Sequence, residues 1–192
     1  MTRPIRIVAF GDSLTEGFQS PSGENPLGQP TPYGRFLKER LGSRAEVLVR
    51  GVCGELTEDM TRRFEKDVLA HKPDDVVILG GTNDLGWGLA PGRILENLDA
   101  LYARARAAGI RPSAVTVPSI RGFDDLIGPR IELNRLIMDR CRGLDMPCVD
   151  LFAASSDPDI RRLSRRYDND GLHLNTAGYR LLADLVYERL FR

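Results

Sequence analysis

The 192-residue sequence predicts one three-layer α/β/α domain over residues 1–192, built on a five-stranded parallel sheet. Three observations lead there. Short apolar runs alternate with longer amphipathic stretches along the chain. Strands separated by helices call for parallel pairing with right-handed crossovers. The run Val76-Val77-Ile78-Leu79 is continuously apolar, as a strand buried on both faces must be.

The expected strands are residues 5–10, 45–50, 75–79, 113–117 and 147–150, each rich in Val, Ile or Leu. The expected helices lie between and after them. Residues 32–41 stop at Gly42, and residues 57–70, with Thr57 as a cap, stop before Pro73. Residues 91–108 begin with Pro91 and end before Gly109. Residues 129–142 end before Gly143, and residues 176–191 follow Asn175 as a cap. The irregular stretches 19–31 and 118–128 are the longest. Both are expected near the carboxyl ends of strands, where open α/β sheets bind ligands.

Composition narrows the function. The formal net charge is zero, with 27 basic and 27 acidic residues, so the footprint of a nucleic-acid or membrane-surface binder is missing. No apolar stretch is long enough for a signal-peptide core or a membrane span, which reads as a cytoplasmic chain. Cys53, Cys141 and Cys148 are odd in number and lack zinc or redox spacing. They read as reduced, buried, small apolar residues. His71, in His71-Lys72-Pro73, reads as a solvated cation at a helix end. The run Arg161-Arg162-Leu163-Ser164-Arg165-Arg166 reads as a solvated face balanced by Asp157, Asp159, Asp168 and Asp170.

Four segments carry candidate chemistry. Ser13, in Phe10-Gly11-Asp12-Ser13-Leu14, sits where the first strand ends, in a tight turn that exposes its hydroxyl. Asp170 and His173 share the loop before the last helix. A carboxylate three residues before a His can meet Nδ1 and free Nε2 as a base. Asn83, in Gly80-Gly81-Thr82-Asn83-Asp84, offers a neutral amide donor to a developing oxyanion. Gly54, in Gly51-Val52-Cys53-Gly54, can present its N–H unobstructed. Each also has a plain structural reading: a capping Ser, a loop His tying down the last helix, an Asx-turn, a turn glycine. Their coincidence on one edge of a parallel sheet favours function over four separate turns.

In this order the motifs Gly11-Asp12-Ser13-Leu14, Gly51-Val52-Cys53-Gly54, Gly80-Gly81-Thr82-Asn83-Asp84 and Asp170-Gly171-Leu172-His173 resemble the SGNH hydrolases, the GDSL-type esterases, lipases and acylhydrolases. The resemblance spans nearly the whole chain. It implies a flavodoxin-like sandwich with a five-stranded parallel sheet. It implies Ser13 as nucleophile, with Asp170 and His173 completing a triad. The implied oxyanion donors are the N–H groups of Ser13 and Gly54 and the side chain of Asn83. Cys53 departs from the Ser that many members carry, and is read as a packing residue. Asp12 is expected to hold its turn by bonds to nearby backbone. Trp87 is a candidate wall of the substrate pocket.

The reading is therefore a serine esterase for a small-molecule ester, short-chain by preference, needing neither metal nor cofactor. Carbohydrate O-acetylesterase, lysophospholipase and thioesterase activities are alternatives within the family. A non-catalytic acyl-binding module is the rival from another class, and retention of all five site residues argues against it. A haloacid-dehalogenase-type phosphatase needs an acidic residue where Leu14 stands. A dinucleotide binder needs a Gly-rich fingerprint after the first strand, which the chain lacks.

Overall fold

In the computed structural model, which describes residues 3–159 and 161–192, five strands form one parallel sheet in the order β2-β1-β3-β4-β5. They are β1 (Ile5–Gly11), β2 (Ala45–Gly51), β3 (Asp75–Leu79), β4 (Arg111–Val115) and β5 (Cys148–Val149). The apolar sequence explains the two central strands. Ile7 to Phe10 on β1 and Val76 to Leu79 on β3 are fully buried, so both faces of the sheet centre are covered. The register sets Gly11 beside Gly51 on one side and Leu79 on the other. A Cβ on Gly11 would lie 2.0 Å from the Leu79 carbonyl oxygen. Only glycine lets the strand ends come this close.

Among the described residues, eight helices cover or edge the sheet: α1 (Ser13–Glu16), α2 (Tyr33–Leu41), α3 (Thr57–Asp67), α4 (Thr82–Gly86), α5 (Pro91–Ala107), α6 (Ile127–Gly143), α7 (Leu151–Ser155) and α8 (Thr176–Leu190). Helices α2 and α8 pack together on one face, while α3, α5 and α6 pack side by side on the other. Phe64 of α3 meets Phe10 of β1 edge-on, with ring centroids 5.3 Å apart. The chain leaves β1 toward β2 and then crosses to β3 on the opposite side. The reversal makes a crevice at the carboxyl ends of β1 and β3.

The expected α/β/α architecture is present, with several local differences. β4 begins and ends two residues before the expected 113–117, because Arg111 and Pro112 already pair with Asp75 and Val76. The helix expected over 57–70 stops at Asp67 and tightens into a 3₁₀ turn, Leu69–His71. Thr57 is its first residue and not its cap; Leu56 holds that position, and the Thr57 N–H and hydroxyl turn instead to Asp84. Asn175 caps α8 as expected, accepting the Gly178 N–H at 3.0 Å. His71 differs from the solvated cation expected. It is half-buried, with its Nε2 3.2 Å from the Arg50 guanidinium and its carbonyl accepting from Arg6. Arg162 pairs with Asp124, while Asp157 and Asp168 face Arg121 instead of the arginine run. Of the cysteines, Cys141 is buried, Cys148 is half-buried and Cys53 is exposed, so Cys53 is not the packing residue expected.

Candidate active site

Ser13 is the first residue of α1, directly after the end of β1. The turn is built by Asp12, whose extended backbone places its Oδ1 to accept the Leu14 N–H at 2.9 Å. Its other oxygen, Oδ2, is buried without a hydrogen-bond partner among the described residues. Burial pushes the Asp12 carboxyl up to about 7. The Leu14 N–H works against that shift, and the nearby charges of Asp84 and Glu55 add to it.

The Ser13 hydroxyl lies 3.0 Å from His173 Nε2, across 160 positions of sequence. His173 Nδ1 lies 2.9 Å from Asp170 Oδ2. A carboxylate accepts only, so Nδ1 carries the proton and Nε2 faces Ser13 as an acceptor. Asp170 Oδ1 also accepts the backbone N–H of Leu172 at 3.1 Å and of His173 at 2.8 Å. Partial burial raises the Asp170 carboxyl, but bonds from the His173 backbone, Ser20 and the His173 ring outweigh it and bring it down to about 2. Asp170 is therefore a firm anion beside the imidazole.

Gly54 lies in the turn after β2 at φ +78°, a conformation that glycine adopts freely. The Cys53 N–H donates to the Glu16 carboxylate at 2.9 Å, which ties this turn to α1. Asn83, on α4, donates from Nδ2 to the Glu55 carbonyl at 2.8 Å, which ties the same turn to α4. An amide nitrogen has two N–H groups, so the second stays available. The N–H groups of Ser13 and Gly54 have no protein acceptor among the described residues. Trp87 ends α4 and is 77% exposed at the lip of a cleft of about 370 Å³ that also touches Asn83, Phe123, Arg130 and Leu172.

The structure thus brings Ser13, His173 and Asp170 into one hydrogen-bonded chain and sets Gly54 and Asn83 in adjoining turns. Several supporting residues escaped the sequence. The Ser20 hydroxyl donates to Asp170 Oδ2 at 2.7 Å. Asn169 clips the Ser20 backbone from both sides, accepting its N–H at 2.6 Å and donating to its carbonyl at 3.1 Å. The Phe18 ring packs against the imidazole with centroids 4.5 Å apart. Buried Asp84 accepts both the Thr57 N–H and hydroxyl, which fixes the start of α3 against α4. Only Asp84 left a trace in sequence, as the last residue of its motif. The Cys53 thiol is pushed up to about 12 by local desolvation and by Glu16 and Asp12, so it stays a thiol and is no rival nucleophile. Among the described residues, no cluster of three His, Cys, Asp or Glu side chains is placed to hold a metal.

A doubly wound sheet with a Ser–His–Asp chain at its topological switch point defines a class of α/β hydrolytic domain. Within that class, residues 9–181 match the GDSL-like lipase/acylhydrolase family, and the chain belongs to it. It is a carboxylic ester hydrolase by family. The chain is similar to an uncharacterized lipoprotein, YqeF, of Bacillus subtilis (strain 168), at 36% identity over 95% of this chain and 86% of that protein. A lipase/acylhydrolase from Enterococcus faecalis shares 28% identity, with a TM-score of 0.75 over 96% of this chain and 94% of the other. An acetylxylan esterase from Geobacillus stearothermophilus shares the fold, with a TM-score of 0.81 at 20% identity over 97% of this chain and 94% of the other. The lipoprotein name belongs to the Bacillus relative, and it gives no support to the cytoplasmic expectation. No helix among the described residues is long and apolar enough to cross a membrane.

Proposed function

We propose that the protein cleaves short-chain carboxylic esters through an acyl intermediate on Ser13. The observation that carries this is the unbroken chain from the Ser13 hydroxyl through His173 to Asp170, at 3.0 and 2.9 Å. His173 Nε2 takes the Ser13 proton as Oγ bonds to the ester carbonyl carbon. The carbonyl π electrons move onto oxygen, and the N–H groups of Ser13 and Gly54 and the free N–H of Asn83 receive that charge. The C–O bond to the alcohol breaks, and the proton on Nε2 passes to the leaving alkoxide. Water then repeats the sequence on the acyl-Ser13 ester, and the carboxylic acid departs. Asp170 stays ionised throughout and steadies the imidazolium.

A short acyl group suits the cleft of about 370 Å³, which is near the lower bound for ligand sites. Ser13→Ala removes the attacking oxygen. It is expected to abolish hydrolysis of p-nitrophenyl acetate and labelling by a fluorophosphonate probe, with the circular dichroism spectrum unchanged. Near-normal turnover in that variant would sink the reading. A cytoplasmic location rests on the three free thiols alone, which suit reducing surroundings. Recovery of the native protein in a washed membrane fraction would reverse it.

A further inference from the structure

Arg130 heads the fully buried side chains by size, with 1% of its surface exposed. It lies in the first turn of α6, where the helix dipole disfavours a cation. Its hydrogen bond runs from Nη1 to the Leu126 carbonyl at 3.3 Å. A guanidinium has five N–H donors, so most of its capacity is unused by the protein. Neighbouring arginines are matched: Arg121 with Asp157 and Asp168, Arg135 with Glu132 and Asp139, Arg162 with Asp124. Among the described residues, no carboxylate pairs with Arg130. Desolvation brings its guanidinium down to about 10, which leaves it cationic at neutral pH.

A buried ion without a partner destabilises the fold that holds it. That cost is offset when a ligand supplies the missing charge. Arg130 is placed for this. It lines the cleft that also touches Asn83 and Leu172, the neighbour of His173, and the exposed Trp87 and Phe123 rings stand on the same lining. The cleft is thus lined by two exposed aromatic side chains and, at its wall, by a guanidinium without a counter-ion.

We propose that Arg130 selects esters bearing a second, carboxylate group, gripping it with its two-pronged guanidinium while the ester carbonyl sits at Ser13. The proposal rests on the Ser13 reading for its chemistry, but carboxylate binding by Arg130 does not depend on turnover. The carboxylate can belong to the acyl or the alcohol part, and matched substrate pairs separate the two. Methyl hydrogen glutarate against methyl valerate probes the acyl part. 3-Acetoxypropanoate against propyl acetate probes the alcohol part.

The wild-type protein is expected to favour the charged member of at least one pair by about tenfold or more in kcat/KM, as one charge-assisted bond allows. Arg130→Met is expected to erase most of that ratio, chiefly through KM, and Arg130→Lys to restore part of it. Should Arg130→Met fail to fold, wild-type inhibition decides: propionate is expected to inhibit methyl valerate hydrolysis about tenfold more tightly than propionamide. Ratios of one or below in both pairs, a ratio that survives Arg130→Met, or equal inhibition by propionate and propionamide would each overturn the proposal. Calorimetric titration of glutarate into Ser13→Ala protein reads the cleft without turnover. Glutarate binding that vanishes with Arg130→Met supports the carboxylate site even where the Ser13 reading fails. Hydrolysis without charge preference supports Ser13 and removes the carboxylate site.

Discussion

The two sides of the crevice are built on opposite principles. On the Ser13 side, the carboxylate behind the imidazole is braced from several directions. Asp170 receives two backbone N–H groups, the Ser20 hydroxyl and the His173 ring, and Asn169 clips Ser20 in turn. On the Arg130 side, a buried cation has one carbonyl contact and two large rings stand exposed. A reacting centre gains from fixed geometry, since misplacement by an ångström costs rate. A specificity wall gains from unsatisfied groups that a substrate completes. On the proposed reading, hydrogen bonds gather behind the base and are left open at Arg130.

Mutations can break or sharpen that contrast. The largest effect is expected on the braced side. His173→Ala should lower kcat for p-nitrophenyl acetate by roughly 10⁵- to 10⁶-fold and Asp170→Asn by roughly 10⁴-fold, in steady-state assays with thermal unfolding checked in parallel. Asn83→Ala removes one proposed oxyanion donor and should cost roughly 10²- to 10³-fold in kcat with KM little changed. A loss as large from Trp87→Ala would erase the distinction between the two sides.

Asp12 gives a pH test on the braced side. Its carboxyl is pushed up to about 7 by burial, against about 3.9 in an unfolded chain. The folded protein holds this proton more tightly. The resulting stability is fully present below about pH 4 and is lost as pH rises through about 7. Asp12→Asn keeps an oxygen for the Leu14 N–H and cannot ionise. Denaturant unfolding should show a flatter stability curve between those limits, and a gain at pH 8 of roughly 2–4 kcal/mol over the parent. A parent curve already flat over that range would remove the burial argument.

Ser20→Ala withdraws one of the bonds holding Asp170 and should lower kcat by roughly 3- to 10-fold. It should also lift the Asp170 carboxyl from about 2, because that bond favours the ionised form. Trp87→Ala is expected to be the mildest, raising KM by a few-fold and changing stability by less than about 0.5 kcal/mol, as for an exposed residue.

Much of the frame was legible in the sequence because Ile7 to Phe10 of β1 and Val76 to Leu79 of β3 are unbroken apolar runs at the sheet centre. Helices α1, α4 and α7 were not legible. Each has only four or five residues, too few for a 3.6-residue period to register. β5 has two residues and is defined by its partner β4. Ser13, Gly54 and Asn83 stand out in the sequence because glycine-bearing turns follow β1, β2 and β3, and Asp170 and His173 because they share one short loop before α8. Ser20 and Arg130 were not. Ser20 reads as an ordinary polar loop residue, and its bond to Asp170 spans 150 positions. Arg130 reads as one more charge on an Arg-rich helix, and only burial without a counter-ion sets it apart.

The 160-residue span between Ser13 and His173 has a consequence for biosynthesis. During translation the sheet strands and the Ser13 turn are all made before the base exists. The loop carrying Asp170 and His173 follows all five strands and is held between Ser20 and α8. In the proposed cycle, a nascent chain that has not yet reached residue 173 carries Ser13 without its base.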